Sequence, residues 1–342
     1  MRYLVTGGAG FIGSAFVRRV LRLGGGAEVL VLDALTYAGN LANLDPVAHL
    51  GGLSFEKVDV RDDIGVLRAF RRFRPDVVVH FAAESHVDRS IRSPLDFASA
   101  NVVGTGVVLE ASRATSPAIV VQVSTDEVYG SIPHPELADE GYPLRTASPY
   151  SASKAGADML ALAYWRTYGL PVVISRASNT YGPRQFPEKL IPLLIANAFA
   201  GLSLPIYGDG QQVRDWLHVR DHLRAIEALL TCARPGEVYN VSGGCRLANI
   251  DVAKQVLRCC RAEESLIRHV PDRPGHDRRY ALDCGKIERE TGWKPKVDFR
   301  AGLASTVRWY RENADWVAEV RSGRHMRRWE RRASDRLPVQ LG

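Results

Sequence analysis

A parallel β-sheet wound with helices on both faces, followed by a smaller second layer, is the architecture predicted for this chain of 342 residues. Three observations carry that prediction. Short apolar runs rich in β-branched residues recur through the first half, amphipathic stretches separate them, and the first run closes on a glycine-rich turn. The runs are 2–6 (RYLVT), 28–32 (EVLVL), 76–81 (DVVVHF), 118–124 (AIVVQVS) and 171–176 (PVVISR). They read as buried parallel strands, which need apolar side chains on both faces. The helical stretches lie at 13–23, 62–73, 95–113 and 150–168. Strand and helix in regular alternation specify a doubly wound α/β sheet.

After residue 176 proline and loop signals become denser and the helices shorten, near 188–200, 220–231, 250–260 and 300–313. The reading is a first domain over 1–176, rejoined by segments near 215–245. A smaller substrate-binding domain over 177–315 covers the carboxyl edge of the sheet, and a basic C-terminal tail runs over 316–342.

Composition narrows the class. Hydrophobic residues make up 46% and charged residues 24%, ordinary proportions for a soluble globular protein. No stretch reaches the ~20 apolar residues of a membrane-spanning helix, and the N-terminus shows neither a basic region nor a cleavage site. Five cysteines (Cys232, Cys245, Cys259, Cys260, Cys284) have no CxxC or metal-ligand spacing. A cytoplasmic protein with free thiols, no metal and no membrane partner is expected. The net charge of +7 is concentrated in 321–332 (RSGRHMRRWERR), which holds six arginines against one glutamate. Such a run reads as a solvated terminus; nucleic-acid binding is the alternative, and no nucleic-acid module supports it.

The first strand runs into Thr6-Gly7-Gly8-Ala9-Gly10-Phe11-Ile12-Gly13. Gly7 permits a tight turn, Gly10 lets a pyrophosphate approach the backbone, and Gly13 packs the helix on the strand. The phosphates then meet the positive end of that helix. A glycine triplet alone is a weak signal, but this one follows a strand, opens a helix and has Asp33 ending the second strand 20 residues on. The context predicts a Rossmann dinucleotide site. Asp33 would accept hydrogen bonds from the adenosine ribose and repel a 2′-phosphate, favouring NAD over NADP. Asp59, read at the end of the third strand, is placed either to meet the adenine or to cap the next helix.

Two further segments carry chemistry. Tyr150 and Lys154 stand at i and i+4, on one face of a helix. The lysine and a positive nicotinamide ring would lower the tyrosine pKa toward neutrality, making the phenol a base for an alcohol that loses hydride from the same carbon. The strand ending Ser124-Thr125-Asp126-Glu127 puts two adjacent carboxylates where a parallel sheet presents catalytic residues. Alcohol oxidation needs neither. Elimination of water needs both, an ionised base and a protonated acid. The structural alternative is a helix-capping or solvated pair.

With these segments assembled, the chain resembles the extended short-chain dehydrogenase/reductase family and, within it, the dTDP-glucose 4,6-dehydratases. The resemblance runs from residue 1 to about 315. Its blocks are TGGAGFIGS (6–14), LDALTYAGN (32–40), HFAAESHVDRS (80–90), STDEVYGS (124–131) and SPYSASKAGAD (148–158). They continue as SNTYGP (178–183), PEKLIPLLI (187–195), LPIYGDG (204–210), VRDWLHVRDH (213–222) and DRPGHDRRYALD (272–283). Relatives such as UDP-sugar 4-epimerases and decarboxylases share the glycine motif and YxxxK but lack the Asp-Glu pair after the threonine. Asp126 is therefore the sharpest discriminator against that alternative, and the intact Thr-Asp-Glu, Tyr and Lys set argues against a non-catalytic NAD sensor.

The resemblance implies roles. Tyr150 would be the base for the C4 hydroxyl, with Lys154 lowering its pKa and binding the nicotinamide ribose. Thr125 would hydrogen-bond O4, Glu127 would remove the C5 proton and Asp126 would protonate the leaving C6 hydroxyl. NAD contacts would include Phe11, Ile12, Asp33, Ala34, Thr36, Asp59, Val60, Ala82, Ala83 and Ser85. The nucleotide sugar would meet Ser85, Asn179, Lys189, Leu190, Pro205, Tyr207, Arg214, Asn249, Arg273 and His276. Arg214 and Arg273 suit bidentate contacts with a diphosphate, and Tyr207 suits packing on a pyrimidine. A homodimer through the helices near 95–113 and 150–168 is also expected. Two departures stand out: Thr180 where many relatives have a second Asn, and Ala100 where they have Thr. The arginine tail has no recognised counterpart.

Overall fold

The computed structural model describes residues 1–326. Seven parallel strands form the central sheet: β1 (Arg2–Thr6), β2 (Glu28–Asp33), β3 (Leu53–Lys57), β4 (Val77–His80), β5 (Ile119–Thr125), β6 (Val172–Ala177) and β10 (Val238–Val241). Their order across the sheet is β10-β6-β5-β4-β1-β2-β3, so the chain starts in the middle and winds outward in both directions. β3 and β10 complete the five strands expected from apolar runs; β3 has only partly buried residues, which is why its sequence LSFEK gives a weak signal.

Alternation through the pleat decides which residues meet which helices. Leu4, Val78 and Val120 pack beneath α2 (Asp63–Phe73), α5 (Gly104–Thr115) and α6 (Pro149–Tyr168), against Val66, Phe70, Leu109 and Ala161. Their neighbours Val5, Val79 and Val121 face the other way, against Phe16 and Val17 of α1 (Phe11–Leu23) and Leu223 and Ile226 of α8 (Val219–Cys232). Both faces of the sheet are thus dry.

Each functional helix has a local reason to begin where it does. Ser148 and Ser151 form a reciprocal capping box at the start of α6, with Pro149 in the first turn, and Gly169 ends the helix in the left-handed region at φ 68°. Asp62 caps α2 by accepting from the Gly65 amide at 3.0 Å. Between Pro94 and Thr115 the chain makes a short α4 (Pro94–Ala98), one π-helical turn over Ser99–Val103, and then α5.

The remaining elements lie mainly beyond residue 176. β7 (Asn179–Tyr181), β9 (Val213–His218) and β11 (Cys245–Ala248) form a three-stranded sheet; β8 (Leu204–Tyr207) pairs in parallel with β12 (Ile267–Val270). Helices α7 (Leu190–Phe199), α9 (Asn249–Cys260) and α11 (Phe299–Glu312) bury Leu194, Val256, Leu257 and Leu303 with Trp216 and Phe299. A short α3 (Val87–Arg92) and α10 (Gly285–Thr291) complete this set. Of the segment assigned to a tail from 316, residues up to 321 belong to α12 (Ala314–Arg321), with Trp316 and Val317 packed on this second core. His325 then reaches back to the first domain, its Nε2 within 2.9 Å of the Tyr37 carbonyl and its ring against Phe186. Residues 327–342, the rest of the tail and most of its arginines, lie outside the described residues. Among the described residues no helix is long and apolar enough to cross a membrane.

One buried ion pair ties α6 to β6. Asp158 Oδ2 accepts from Arg176 Nε at 2.8 Å, both side chains almost wholly inaccessible, and Arg176 Nη1 donates to the Tyr129 hydroxyl at 3.0 Å. Asp158→Ala strands that guanidinium, and a loss of about 3–5 kcal/mol in unfolding free energy is expected by urea titration; a loss below about 1 kcal/mol would show the pair to be dispensable.

Candidate active site

The carboxyl ends of the central strands open into one cleft. At its first end, Gly7 sits at φ +67° with its added Cβ only 2.7 Å from the Ala82 amide nitrogen, and a Cβ on Gly13 would lie 2.3 Å from the Gly7 carbonyl oxygen. No side chain fits at either position, so α1 starts directly on the turn with its free amides facing out. Asp33 ends β2 buried, its Oδ2 accepting from the Ala9 amide at 2.9 Å and its Oδ1 from Leu35 at 2.8 Å. Burial raises its pKa and those two amides pull it back. Its carboxylate is therefore rigid, and each oxygen keeps a lone pair for a ribose hydroxyl.

Asp59 lies two residues past β3, in the loop. Its carboxylate is held by Arg61 through both guanidinium and backbone, which lowers its pKa, and the cap of α2 is Asp62. The capping alternative for Asp59 is thereby excluded. Ala82 and Ala83 follow β4, where the Ala82 amide donates to Thr6 Oγ1 at 3.3 Å; the Ser85 carbonyl accepts from Lys189.

Thr125, the last residue of β5, turns the chain into a single 3-10 turn, Asp126–Tyr129. Its hydroxyl donates to Asp126 Oδ1 at 3.2 Å and accepts from the Glu127 amide at 3.2 Å. The two carboxyls face different neighbours. Asp126 is buried, Oδ2 finds no partner, and burial with the charges of Glu127 and Asp215 pushes its pKa well up. Glu127 stands at the cleft wall; burial raises it too, but Arg273, Arg214 and Lys189 oppose the shift. A proton on the pair resides on Asp126.

Tyr150 and Lys154 rise from the first two turns of α6. Tyr150 is buried, its ring edge-on to Phe97, and its pKa is raised by burial and the Glu127 charge while the Thr125 hydroxyl pulls it down. The expected lowering by Lys154 is not present in the protein alone. The Lys154 ammonium donates to the Val123 carbonyl at 2.7 Å and burial has pushed its own pKa down to about 8. Burial first, and then the charges of Glu127 and Asp126, oppose a phenolate at Tyr150, which nearby positive charge would favour.

The second domain supplies the far wall. Arg273 Nη1 reaches Asp88 Oδ1 at 3.2 Å, the Tyr207 hydroxyl donates to Asp88 Oδ2 at 2.7 Å, and His276 Nδ1 meets Asp272 Oδ1 at 2.6 Å with its ring edge-on to Tyr207. Arg214 is less free than a diphosphate clamp implies. Two of its donors serve the Val213 and Asp277 carbonyls, and its guanidinium lies 4.2 Å over the Tyr280 ring. Asn179 and Asn249 each keep a buried Oδ1 without a partner. Leu190 opens α7 and Pro205 lies in β8. Thr180 Oγ1 is taken up by His222 Nδ1 at 2.9 Å, and Ala100 lies in the π-helical turn. Among the described residues no group of His, Cys, Asp and Glu could hold a metal.

Sequence reasoning missed Asp88, Asp215, Asp277 and Tyr280. All four lie inside the family blocks, but only the fold brings Asp215, Asp277 and Tyr280 to the carboxylate pair and Asp88 to Arg273 and Tyr207.

The family model described as GDP-mannose 4,6 dehydratase matches residues 4–306. A dTDP-glucose 4,6-dehydratase from Streptomyces niveus is 51% identical over 326 residues, covering 94% of this chain and 96% of that protein. The chain belongs to the dTDP-glucose 4,6-dehydratase family. Among solved structures, the dTDP-glucose 4,6-dehydratase DesIV from Streptomyces venezuelae, with NAD bound, superposes with a TM-score of 0.91 at 52% identity, covering 94% of this chain and all of that one. A UDP-glucose 4-epimerase from Thermotoga maritima shares the fold at TM-score 0.86 but only 31% identity, covering 92% of this chain and all of that one. The dehydratase family fits the Asp-Glu pair, and the epimerase likeness is the shared scaffold.

Gly13→Ala forces a methyl into the Gly7 carbonyl. A cost of about 1–3 kcal/mol is expected, from overpacking against backbone that cannot yield, read as a lowered melting temperature; an unchanged melting temperature would show that the turn relaxes freely.

Proposed function

We propose that this chain converts dTDP-glucose to dTDP-4-keto-6-deoxyglucose, with NAD as its resident cofactor. The reading rests above all on one observation: two carboxyls in unequal surroundings at the end of β5, beside Tyr150. Family membership fixes the scaffold, and this pair distinguishes elimination from epimerisation.

The residues present fit NAD. Gly7, Gly10 and Gly13 leave backbone bare where a pyrophosphate must approach, with the amides of Phe11 and Ile12 at the helix start. Asp33 serves the adenosine ribose, with Ala34, Thr36, Asp59, Val60, Ala82, Ala83 and Ser85 lining the cofactor's path. Bound NAD supplies a hydride acceptor and donor, and its positive ring supplies the charge that favours the Tyr150 phenolate.

The side chains then divide the proton work. Tyr150 accepts the proton of the C4 hydroxyl, with Thr125 hydrogen-bonded to O4 and Lys154 at the nicotinamide ribose. The C4 ketone acidifies C5–H, whose proton passes to Glu127. Asp126, kept protonated by its anionic neighbours, hands its proton to the departing C6 hydroxyl, which leaves as water. The resulting C5–C6 alkene takes hydride at C6 and a proton back from Glu127 at C5, so no net redox occurs. The diphosphate falls to Arg214, Arg273 and Lys189, the base to Tyr207, and polar anchoring to Asn179, Asn249 and His276, with Leu190 and Pro205 as apolar wall. Exposed Leu95, Val103 and Met159 on α4, the π-helical turn and α6 support self-association through these helices as a homodimer.

Substrate deuterated at C4 is expected to give product deuterated at C6 in the same molecule, read by NMR. Loss of the label to solvent would rule out hydride return. Asp126→Asn with Glu127→Gln is expected to abolish dehydration while C4 oxidation persists.

Asp33→Ser should erode cofactor choice. The wild type is expected to retain NAD on purification, and the variant's preference for NAD over NADP to fall by about tenfold, the equivalent of about 1.4 kcal/mol. Equal use of both cofactors by the wild type contradicts the assignment.

A further inference from the structure

The Tyr280 hydroxyl lies between two carboxylates. It is 2.8 Å from Asp277 Oδ2 and 3.5 Å from Glu127 Oε2, in a side chain that is almost wholly buried. A phenol has one proton to donate, and the shorter contact takes it. Glu127 therefore faces the lone pairs of the Tyr280 oxygen. That arrangement suits the Glu127 carboxylic acid, which can donate, better than the carboxylate, which cannot.

The tyrosine is also held in place. Its amide donates to the Val213 carbonyl at 3.1 Å, and its ring lies under the Arg214 guanidinium at 4.2 Å, while Arg214 Nη2 donates to the Asp277 backbone carbonyl at 2.9 Å. The chain Glu127–Tyr280–Asp277 is thus fixed from both ends, by β9 and by the turn that carries Asp277.

We propose that Tyr280 is a positioning residue for proton abstraction: it is the acceptor that receives the Glu127 hydrogen bond once Glu127 has taken the C5 proton. The proposal rests on the reading of Glu127 as the C5 base. In the step, the C5–H bond breaks and an O–H bond forms on Glu127; the C–H electron pair becomes the C5–C6 π bond as the C6–O bond breaks and Asp126 delivers its proton to the leaving hydroxyl. The new Glu127 O–H donates to Tyr280, which continues to donate to Asp277, and the Asp277 charge stabilises the whole line. Tyr280 neither gains nor loses a proton overall.

Glu127 also faces Arg273, Arg214 and Lys189, which favour its ionised form, and Asp277, which opposes it, with the protonated Asp126 and the neutral phenols Tyr150 and Tyr280 alongside. Removing the Asp277 charge therefore lowers the Glu127 pKa, and the acid limb of kcat moves to lower pH.

Tyr280→Phe keeps the ring under Arg214 and deletes only the hydroxyl. The expected result is a fall in kcat of about tenfold with KM within about twofold, an unchanged rate of C4 oxidation in a single turnover, and a larger isotope effect on kcat with C5-deuterated substrate. Asp277→Asn, which retains an acceptor for the phenol, is expected to shift the acid limb downward, and decides the matter if the phenylalanine variant does not fold. Wild-type kcat and isotope effect in Tyr280→Phe, or a loss confined to KM, overturns the proposal, as does an unmoved acid limb in Asp277→Asn. Glu127→Gln run in parallel separates the two readings: if it dehydrates normally the base assignment fails, and if it is inactive while Tyr280→Phe is silent, only the role of Tyr280 fails.

Discussion

A parallel sheet that is dry on both faces has only its edges left for chemistry. Along β1, β4 and β5 the side chains alternate between two apolar layers, so a polar group within a strand would be buried without water on either side. A few buried polar residues do lie within the strands, such as Gln122 in β5 and Arg176 in β6, which pairs with Asp158, but the residues of the site gather where the strands stop. Register then sets them side by side: Thr6 is level with Leu32, one residue before Asp33, and with His80, while Thr125 is level with Ala177. The glycine turn, Asp33 and the carboxylate pair share one edge because their strands end together.

Electrostatics at that edge follow from an imbalance. Asp126, Glu127, Asp215 and Asp277 converge under partial burial, and the cations facing them, Arg214, Arg273 and Lys189, come almost entirely from the second domain. Of the four, Asp126 and Glu127 stand at the end of β5, while Asp215 and Asp277 lie beyond residue 176 with the cations. Those cations oppose the rise of the Glu127 pKa, while burial and the charges of Glu127 and Asp215 push that of Asp126 well up. The same enclosure, with the Glu127 charge, raises the Tyr150 pKa as well.

Much of this could be read from residues alone. The glycine turn, Asp33, and the Thr125–Glu127 and Tyr150–Lys154 segments are local patterns, in which spacing along the chain is also spacing in space. β3 was weaker because none of its side chains is fully buried, and the two readings of Asp59 could not be separated because the cap of α2, Asp62, lies only three residues further on. Lys154 could not be oriented from an i, i+4 spacing, since what decides its direction is a carbonyl on another element, Val123. Tyr280 and Asp215 meet the carboxylate pair from about 150 and about 90 positions away, and no periodicity encodes such contacts.

The return of the chain at His325 bears on how the protein can be handled. Its imidazole is docked on the Tyr37 carbonyl and against Phe186, so the described chain ends beside the loop that follows Asp33. Met1, by contrast, sits at the amino edge of the sheet, where its carbonyl accepts from the Glu28 amide. A purification tag or fluorophore attached at the N-terminus starts on the side of the sheet opposite the cleft. Surface immobilisation through that end leaves the cleft facing solution, an orientation suited to ligand-binding measurements on a sensor chip.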